Sequence, residues 1–459
     1  MIVSMTSSIF STIIPVLCDL YELPRVVGSL GVALYVLGFA TGPLVWAPIS
    51  ELQGRRMPYV ISMLCFTLFS FGTAVSKGPA AIFVCRFFGG FFGACPFTLS
   101  GAVCSDMLSP RLFTNSMVGF GITVFSGPLL APTIGGFIVM NDQLGWRWTH
   151  YLAGILGAAS FASVFFFLDE SYAPSVLVWK ARHLRKETGD LTIRATHEEG
   201  KLDVKTIMRS YLIIPLKLLF LDPIILCMCI FGAFVYGLLY LFLTAYPIIF
   251  QQIQGMNPGV GGLPFIAVIL GQCLAGIAMY FRQLSLRRMV DHNDGEIVPE
   301  WLLLPAIPGS GAFCSGLLWL GWTGYRAETH WILPTLSGLL TGFGLITMFL
   351  PSVQYVALVR RTRAASALAA HTFLRSLFGS VFPLFAPAMV RLLPYEGLSN
   401  GAVQNTRRSV GAYLARLYRS SHDSDPCVSL CVWGEDEGKF QNGALINGTA
   451  WTSLKILKW

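Results

Sequence analysis

Eleven apolar stretches, each near the length of a membrane-spanning helix, run through this chain, and the charged stretch 169–221 separates the first six from the next five. Lipid offers a backbone no hydrogen-bond partners, so a crossing segment must bond to itself, and about 20 apolar residues wound as an α-helix suffice. The stretches begin near Met1, Ser29, Tyr59, Pro79, Asn115 and Trp148, then Asp222, Gly262, Trp301, Trp331 and Ala364. Hydrophobic residues make up 54% of the chain and charged ones 12%, against roughly 25% charged in a soluble domain. An all-α integral membrane protein follows, with an N-terminal six-helix bundle over 1–168, a central loop over 169–221, a five-span bundle over 222–392 and a non-membrane tail over 393–459. The first stretch has no basic leader and reads as a helix. At about 1.5 Å per residue its roughly 17 residues barely cross, so a cytoplasmic segment is expected ahead of it.

Lys and Arg near span ends stay preferentially on the cytoplasmic side. Arg55 and Arg56, Arg111, the loop cations Lys180, Arg182, Arg185 and Lys186, then Arg287 and Arg288, and Arg360, Arg361 and Arg363, all follow even-numbered spans. The loop QQIQGMNPGVGG after span seven carries no cation. A cytoplasmic N-terminus is predicted. The net charge of +8 follows largely from this asymmetry and does not point to nucleic acid, although a basic loop can touch anionic lipid. The alternating signs of 169–221, as in LRKETGD and THEEGKLDVK, suit a solvated amphipathic helix. The eleven cysteines are scattered, with no CxxC or Cys/His spacing, so neither a metal site nor an enzyme centre is expected. Cys427 and Cys431 in the tail lack further ligands. No GxxxxGK[ST] appears, and ATP-driven transport is unsupported.

Four polar features interrupt the apolar pattern. WAPISELQGRR, from Trp46 to Arg56, puts Glu51 where it can face the positive end of another helix; Gly54 allows the turn and Arg55 can reach a carboxylate. The plainer alternative is a positive-inside stop with an incidental acid. CRFFGGFFGACPF sets Arg86 about seven residues into span four, roughly 10 Å deep. A charge there costs at least about 2.5 kcal/mol at mid-depth and needs either a function or bonds to neighbouring carbonyls. Gly89 and Gly93 form a small-residue face. In SGPLLAPTIGGF, Pro128 and Pro132 remove backbone donors and bend span five, while Gly127, Gly135 and Gly136 admit a close neighbour. In span eleven, His371 titrates near neutrality in its ordinary state and Arg375 requires a partner.

Taken together, these motifs resemble the major facilitator superfamily, in the fungal branch of twelve-span drug:proton antiporters. PLVWAPISELQGRR is similar to the family's loop signature, whose general form has Gly and Asp where this chain has Ala47 and Glu51. Arg86 falls on the RxxxG element, whose arginine is associated with proton coupling. SGPLLAPTIGGF resembles the antiporter motif, with Ala131 in place of its second glycine, which leaves close packing there open. LGWRW, LDESYAP, KETG, YLFLTAYPIIFQQIQGMNPGVGGLPF and TFLRSLFGSVFPLF extend the likeness over residues 1 to about 392. DESYAP departs from the commoner PETYAP, and His371 from Asn.

The resemblance implies two bundles rocking about a cavity near the bilayer midplane. It implies a monomeric proton-driven antiporter of the plasma membrane that exports drugs, toxins or secondary metabolites. Its partners would be protons, membrane lipids and a small organic substrate, with no bound cofactor. A gate is expected from Arg55 paired with Asp106 and Glu51 facing the start of span eleven near Ala364, with Gly54, Arg56 and Arg111 completing the loop motif. Proton-coupling candidates are Arg86, His371 and Arg375. Candidates for the cavity wall are Tyr236, Tyr240, Phe242, Tyr246 and Gln354, with core packing as the alternative for each aromatic. Polyamine export is a second possibility, but carboxylates are scarce in the spans, which favours a neutral or amphipathic compound. The family places a twelfth span after Pro394, whereas this tail has no window apolar enough to cross lipid, as a misread exon boundary would leave it. A defective, non-transporting product is therefore a further alternative. With eleven spans the tail lies outside the cell, and Asn447 in NGT is a candidate glycosylation acceptor.

Overall fold

The computed structural model describes residues 1–108, 110–190, 215–293, 298–324, 329–359 and 364–392. The expectations for 191–214, for Arg360, Arg361 and Arg363, for the tail with Cys427, Cys431 and Asn447, and for the Arg111 side chain lie outside them. Among the described residues the regular elements are helices. The N-terminal half comprises α1 (Ile2–Ile9), a 3-10 turn (Phe10–Ile13), α2 (Ile14–Tyr21), α3 (Arg25–Gln53), α4 (Arg56–Val75), α5 (Pro79–Met107), α6 (Pro110–Val139) and α7 (Arg147–Phe167). After α8 (Ala173–Thr188) come α9 (Pro223–Pro247), continued by a π turn (Ile248–Ile253), then α10 (Phe265–Asp291), α11 (Ala306–Gly324), α12 (Ile332–Val359) and α13 (Ala364–Leu392). Ten stretches are long and apolar enough to cross a membrane, and α13, with 29 residues, occupies the eleventh expected place.

The first span differs from its expected form. It continues through a 3-10 step to Tyr21, giving 20 helical residues and a full crossing. The step falls in a run of hydroxyl side chains that bond backward onto the turn. Ser7 donates to the Ser4 carbonyl at 2.6 Å, Ser11 to Ser8 at 2.7 Å and Thr12 to Ile9 at 2.7 Å. Such back-bonding competes with the α-helical ladder and bends it. Arg111, expected in a loop after span four, instead sits in the first turn of α6, because Pro110 is well placed at a helix start.

Backbone crossings at glycine set the packing within each half. A side chain at Gly90 would collide with the Tyr35 carbonyl, and one at Gly38 with the backbone of Phe87 and Phe91, so α3 and α5 cross with their main chains in contact. Gly271 against Leu339 and Gly342 against Val268 repeat that crossing between α10 and α12, the corresponding spans of the second half. Of the small-residue face read from the sequence, Gly93 admits Val3 of α1 closely, whereas Gly89 makes only ordinary contact with the Tyr35 ring and Gly90 is the crossing point with α3. Both halves share one apolar core, in which Phe10, Val36 and Phe125 meet Tyr236, Tyr240 and Phe349. Outward faces carry exposed Phe166, Phe167, Leu318 and Trp322, as a lipid solvent permits. The mixed-charge helix α8 buries only Ala181 and ends on Gly189 at φ +70°, whose N–H bonds the Arg185 carbonyl.

Gly90→Val should lower the unfolding midpoint in detergent, at a cost of about 1–3 kcal/mol from overpacking. Gly119→Ala, facing open space, should leave it unchanged. Thermal unfolding followed by size-exclusion recovery distinguishes the two.

Candidate functional site

The turn between α3 and α4 is built around a carboxylate that the sequence did not single out. Glu170 accepts the backbone N–H of Arg55 at 2.8 Å and of Arg56 at 3.2 Å, and caps its own segment through Tyr172 N–H at 2.9 Å. Gly54 makes this possible. Its φ of +90° with ψ 177° suits glycine alone, and a Cβ there would strike the Glu170 carboxyl group. Arg55 reaches Asp106 at 3.4 Å and Ser50 Oγ at 2.7 Å, with its guanidinium 4.8 Å from the Tyr172 ring. Arg56 donates to the Phe165 carbonyl at 3.2 Å. An exposed ion pair contributes at most about 1 kcal/mol, so the doubly bonded Glu170, not Asp106, holds the turn. Burial, reinforced by Glu51 and opposed by Arg55, pushes the Tyr172 phenol above its ordinary value, so it stays neutral.

Glu51 lies in the last turn of α3, where the helix's negative end disfavours a carboxylate. Among the described residues it forms no ion pair; α3 packs along α13, and the chain just before Ala364 lies outside them.

Arg86 is 1% exposed and fully occupied. Its Nε donates to the Gly31 carbonyl at 2.9 Å, and its two terminal nitrogens donate to Thr6 at 2.8 Å and Ser7 at 2.9 Å, just before the 3-10 step. Its guanidinium lies 4.2 Å from the Tyr35 ring and 4.9 Å from Phe10. The ring of His150 also lies 5.8 Å from Phe10; it is wholly buried and has no hydrogen-bond partner on either nitrogen.

The proline motif of α6 serves two faces. Pro132 has no N–H to give the Pro128 carbonyl four residues earlier, and Ser8 of α1 donates to that carbonyl at 2.9 Å. Gly127 and Gly135 admit Ser4 and Thr12 of the first span, while Gly136 abuts Pro258 in the second half. Ala131, where the motif loses a glycine, is fully buried against Met5 and Ile9, so its methyl group fits the crossing.

The halves meet at membrane depth through two buried polar links, Ser7 to Tyr240 at 2.9 Å and Ser126 to Gln272 at 3.0 Å. At the end of the bundle bearing Gly145, Thr133 donates to the Gly262 carbonyl at 2.8 Å and Gly259 N–H to Met140 Sδ at 3.4 Å. Toward the Arg55 end a small apolar cavity of about 210 Å³ is lined by Leu44 of α3, by Leu216 and Leu219 of the stretch before α9, and by Ala370 and Phe373 of α13; none of the five residues expected in the cavity wall lines it. Tyr236 and Tyr240 face the N-terminal half, their rings 5.2 Å apart, with Phe125 6.0 Å from Tyr236. Phe242 and Tyr246 turn the other way. Phe242 meets Phe313, and Tyr246 stacks on Phe265 at 4.5 Å, inside the second half. Gln354 lies one turn beyond Leu350, which packs at Gly121 of α6, so the two share a face toward the N-terminal half. On α13, His371 fills the notch left by Gly232, and Arg375 lies over Tyr236 and Phe349.

Residues 1–383 match the family model described as Major Facilitator Superfamily. The chain belongs to that superfamily. It is 43% identical over 388 residues to multidrug transporter TPO1_2 of Candida glabrata, covering 84% of this chain and 67% of that protein. It is 42% identical over 389 residues to the multidrug transporter FLU1 of Candida albicans, covering 84% of this chain and 64% of that one. The chain thus spans about two thirds of the length of these relatives. In fold it is similar to the xylose transporter XylE from E. coli in a partially occluded inward open conformation, with a TM-score of 0.58 at 17% identity over 92% of this chain and 94% of that one. This superfamily chain is an integral membrane protein of a transporter family, not of an enzyme family.

Two substitutions test the geometry. Gly54→Ala should destabilise by about 1–3 kcal/mol through its backbone conformation alone, before the clash with the Glu170 carboxyl group is counted. Arg86→Lys should cost about 1–3 kcal/mol for each carbonyl left unpaired, read as a fall in unfolding temperature.

Proposed function

We propose that this protein is a proton-coupled antiporter that exports drugs, toxins or secondary metabolites across the plasma membrane, with its N-terminus in the cytoplasm. The observation that carries the proposal is the 43% identity to a multidrug transporter over 388 residues, beside a family match over residues 1–383 that includes the loop latch and the α6 motif. The geometry supplies a means. Transport requires the halves to separate at one end while closing at the other. Here the Gly145 end is closed by Thr133 and Gly262, and an apolar cavity lies between the halves toward the Arg55 end. The Arg55, Asp106 and Glu170 cluster ties the α3–α4 turn to α5 and to the chain after α7, so it moves the N-terminal half as one body.

Glu51 is the proton carrier in this scheme. Its carboxylate lies at the end of α3 beside α13, and in this scheme it faces the positive start of that helix, so that loss of its charge weakens the contact between the halves. Arg86 acts by position, fixing the first span through neutral carbonyls, since its donors are already committed. Polyamine cargo is disfavoured: among the described residues the carboxylates lie at helix ends or in loops, with none at mid-depth to meet a cationic amine.

In proteoliposomes, an imposed pH gradient should drive uptake of an uncharged amphipathic drug such as cycloheximide, and a protonophore should abolish it. Glu51→Gln should reduce gradient-driven uptake about tenfold or more, a barrier increase of roughly 1.4 kcal/mol, while leaving thermal stability within about 1 kcal/mol. Full proton-driven transport by that variant would remove Glu51 from the scheme. Drug uptake unaffected by the protonophore would remove proton coupling.

A further inference from the structure

Two arginines lie at membrane depth among the described residues, and they differ in a way that bears on cargo. Arg86 spends its guanidinium on three carbonyls. Arg375, near the middle of the 29-residue α13, does not. The residue is half-buried, its Nε is buried with no hydrogen-bond partner, and its guanidinium carbon lies 5.2 Å from the rings of Tyr236 and Phe349. No carboxylate among the described residues pairs with it; Arg55 pairs with Asp106 near the end of α5, and His183 with Glu187 along α8. A cation held in an apolar interior without a counter-charge is costly, and aromatic faces offset only part of that cost. His371, one turn earlier on α13, is a further polar group there, 1% exposed with Nε2 unpartnered.

The walls around Arg375 come from both halves. Phe125 of α6 packs edge-on against Phe349 at 4.7 Å and against Tyr236 at 6.0 Å, and Tyr240 reaches across to Ser7. Gly379, one turn past Arg375, lets α13 sit between Tyr236 and Val36 of α3. The guanidinium therefore occupies the seam that opens when the halves separate, above an aromatic floor. A planar fork of donors over such a surface matches a carboxylate attached to a flat apolar body.

We propose that the preferred cargo is an amphipathic organic anion, its carboxylate bound by Arg375 and its apolar body resting on Tyr236, Phe349 and Phe125. This rests on the exporter function above and narrows its substrate class. Three probes on one ring system separate the charge types: naphthaleneacetate, naphthaleneacetamide and naphthylmethylamine. Binding to the purified full-length protein at neutral pH should favour the acetate over both others by about tenfold. Arg375→Gln should lower acetate binding to the amide's level while leaving amide binding unchanged, and Arg375→Lys should keep part of the preference. Equal binding of acetate and amide to the unsubstituted protein, a preference for the amine, or acetate selectivity surviving Arg375→Gln would each overturn the proposal. A variant that fails to bind the amide has lost its fold, and Arg375→Lys then decides: retained acetate preference supports the site, and loss of it with amide binding intact contradicts it. Cycloheximide uptake driven by a pH gradient is read in parallel. If it persists while the acetate preference is absent, the anion site is wrong and the exporter stands. If no probe moves but the acetate still binds selectively, the reverse holds.

Discussion

The Arg86 guanidinium and the carbonyls of Gly31, Thr6 and Ser7 form the contact on which the N-terminal half is organised. In hydrocarbon neither a charge nor an unpaired carbonyl finds water, so each needs the other. The 3-10 step that gives the first span its irregular course begins just past those carbonyls. With α1 bent there, Ser8 reaches the Pro128 carbonyl that Pro132 leaves unpaired, and Gly127 and Gly135 give it room. One irregularity in α1 thus accommodates another in α6. The hydroxyl of Tyr35, bonded to Val3 at 2.9 Å, fastens the same helix from the α3 side.

Contacts between the halves are graded along the bundle. At the Gly145 end they involve backbone groups, in the middle they are the Ser7–Tyr240 and Ser126–Gln272 links, and toward the Arg55 end an apolar cavity lies between α3 and α13. Such an arrangement leaves few directional bonds toward the Arg55 end of the seam. The latch at Glu170 lies within the N-terminal half and so preserves that half as a rigid unit while the seam changes.

The spans were legible because lipid is a strict filter on composition, and Arg86 and Arg375 because a charge inside an apolar run stands out. Arg55 and Asp106 could be paired from sequence, and the two lie 3.4 Å apart. Glu170 was hidden among the mixed charges that follow the sixth span, where nothing in the sequence says that the Gly54 turn folds against it. Ser8 and Pro128 are 120 residues apart, and only the crossing of α1 and α6 joins them. The aromatics of α9 were the least readable. On a helix apolar all round, periodicity does not say which face meets the other half, so Tyr236 and Tyr240 could not be separated from Phe242 and Tyr246. Gln272 and His150 left a signal, a lone polar residue in an apolar span, that pointed to no partner.

Alternating exposure of one seam is the claim that unites these features, and it requires Thr133 and Gly262 to part during each cycle. Met140→Cys combined with Gly259→Cys, across the neighbouring contact at the same end and oxidised in reconstituted vesicles, tests it directly. Cross-linked protein should lose gradient-driven uptake and regain it on reduction, with each single variant unaffected by the oxidant. Full uptake by the cross-linked protein would contradict the account, because the halves would then move cargo without opening at that end.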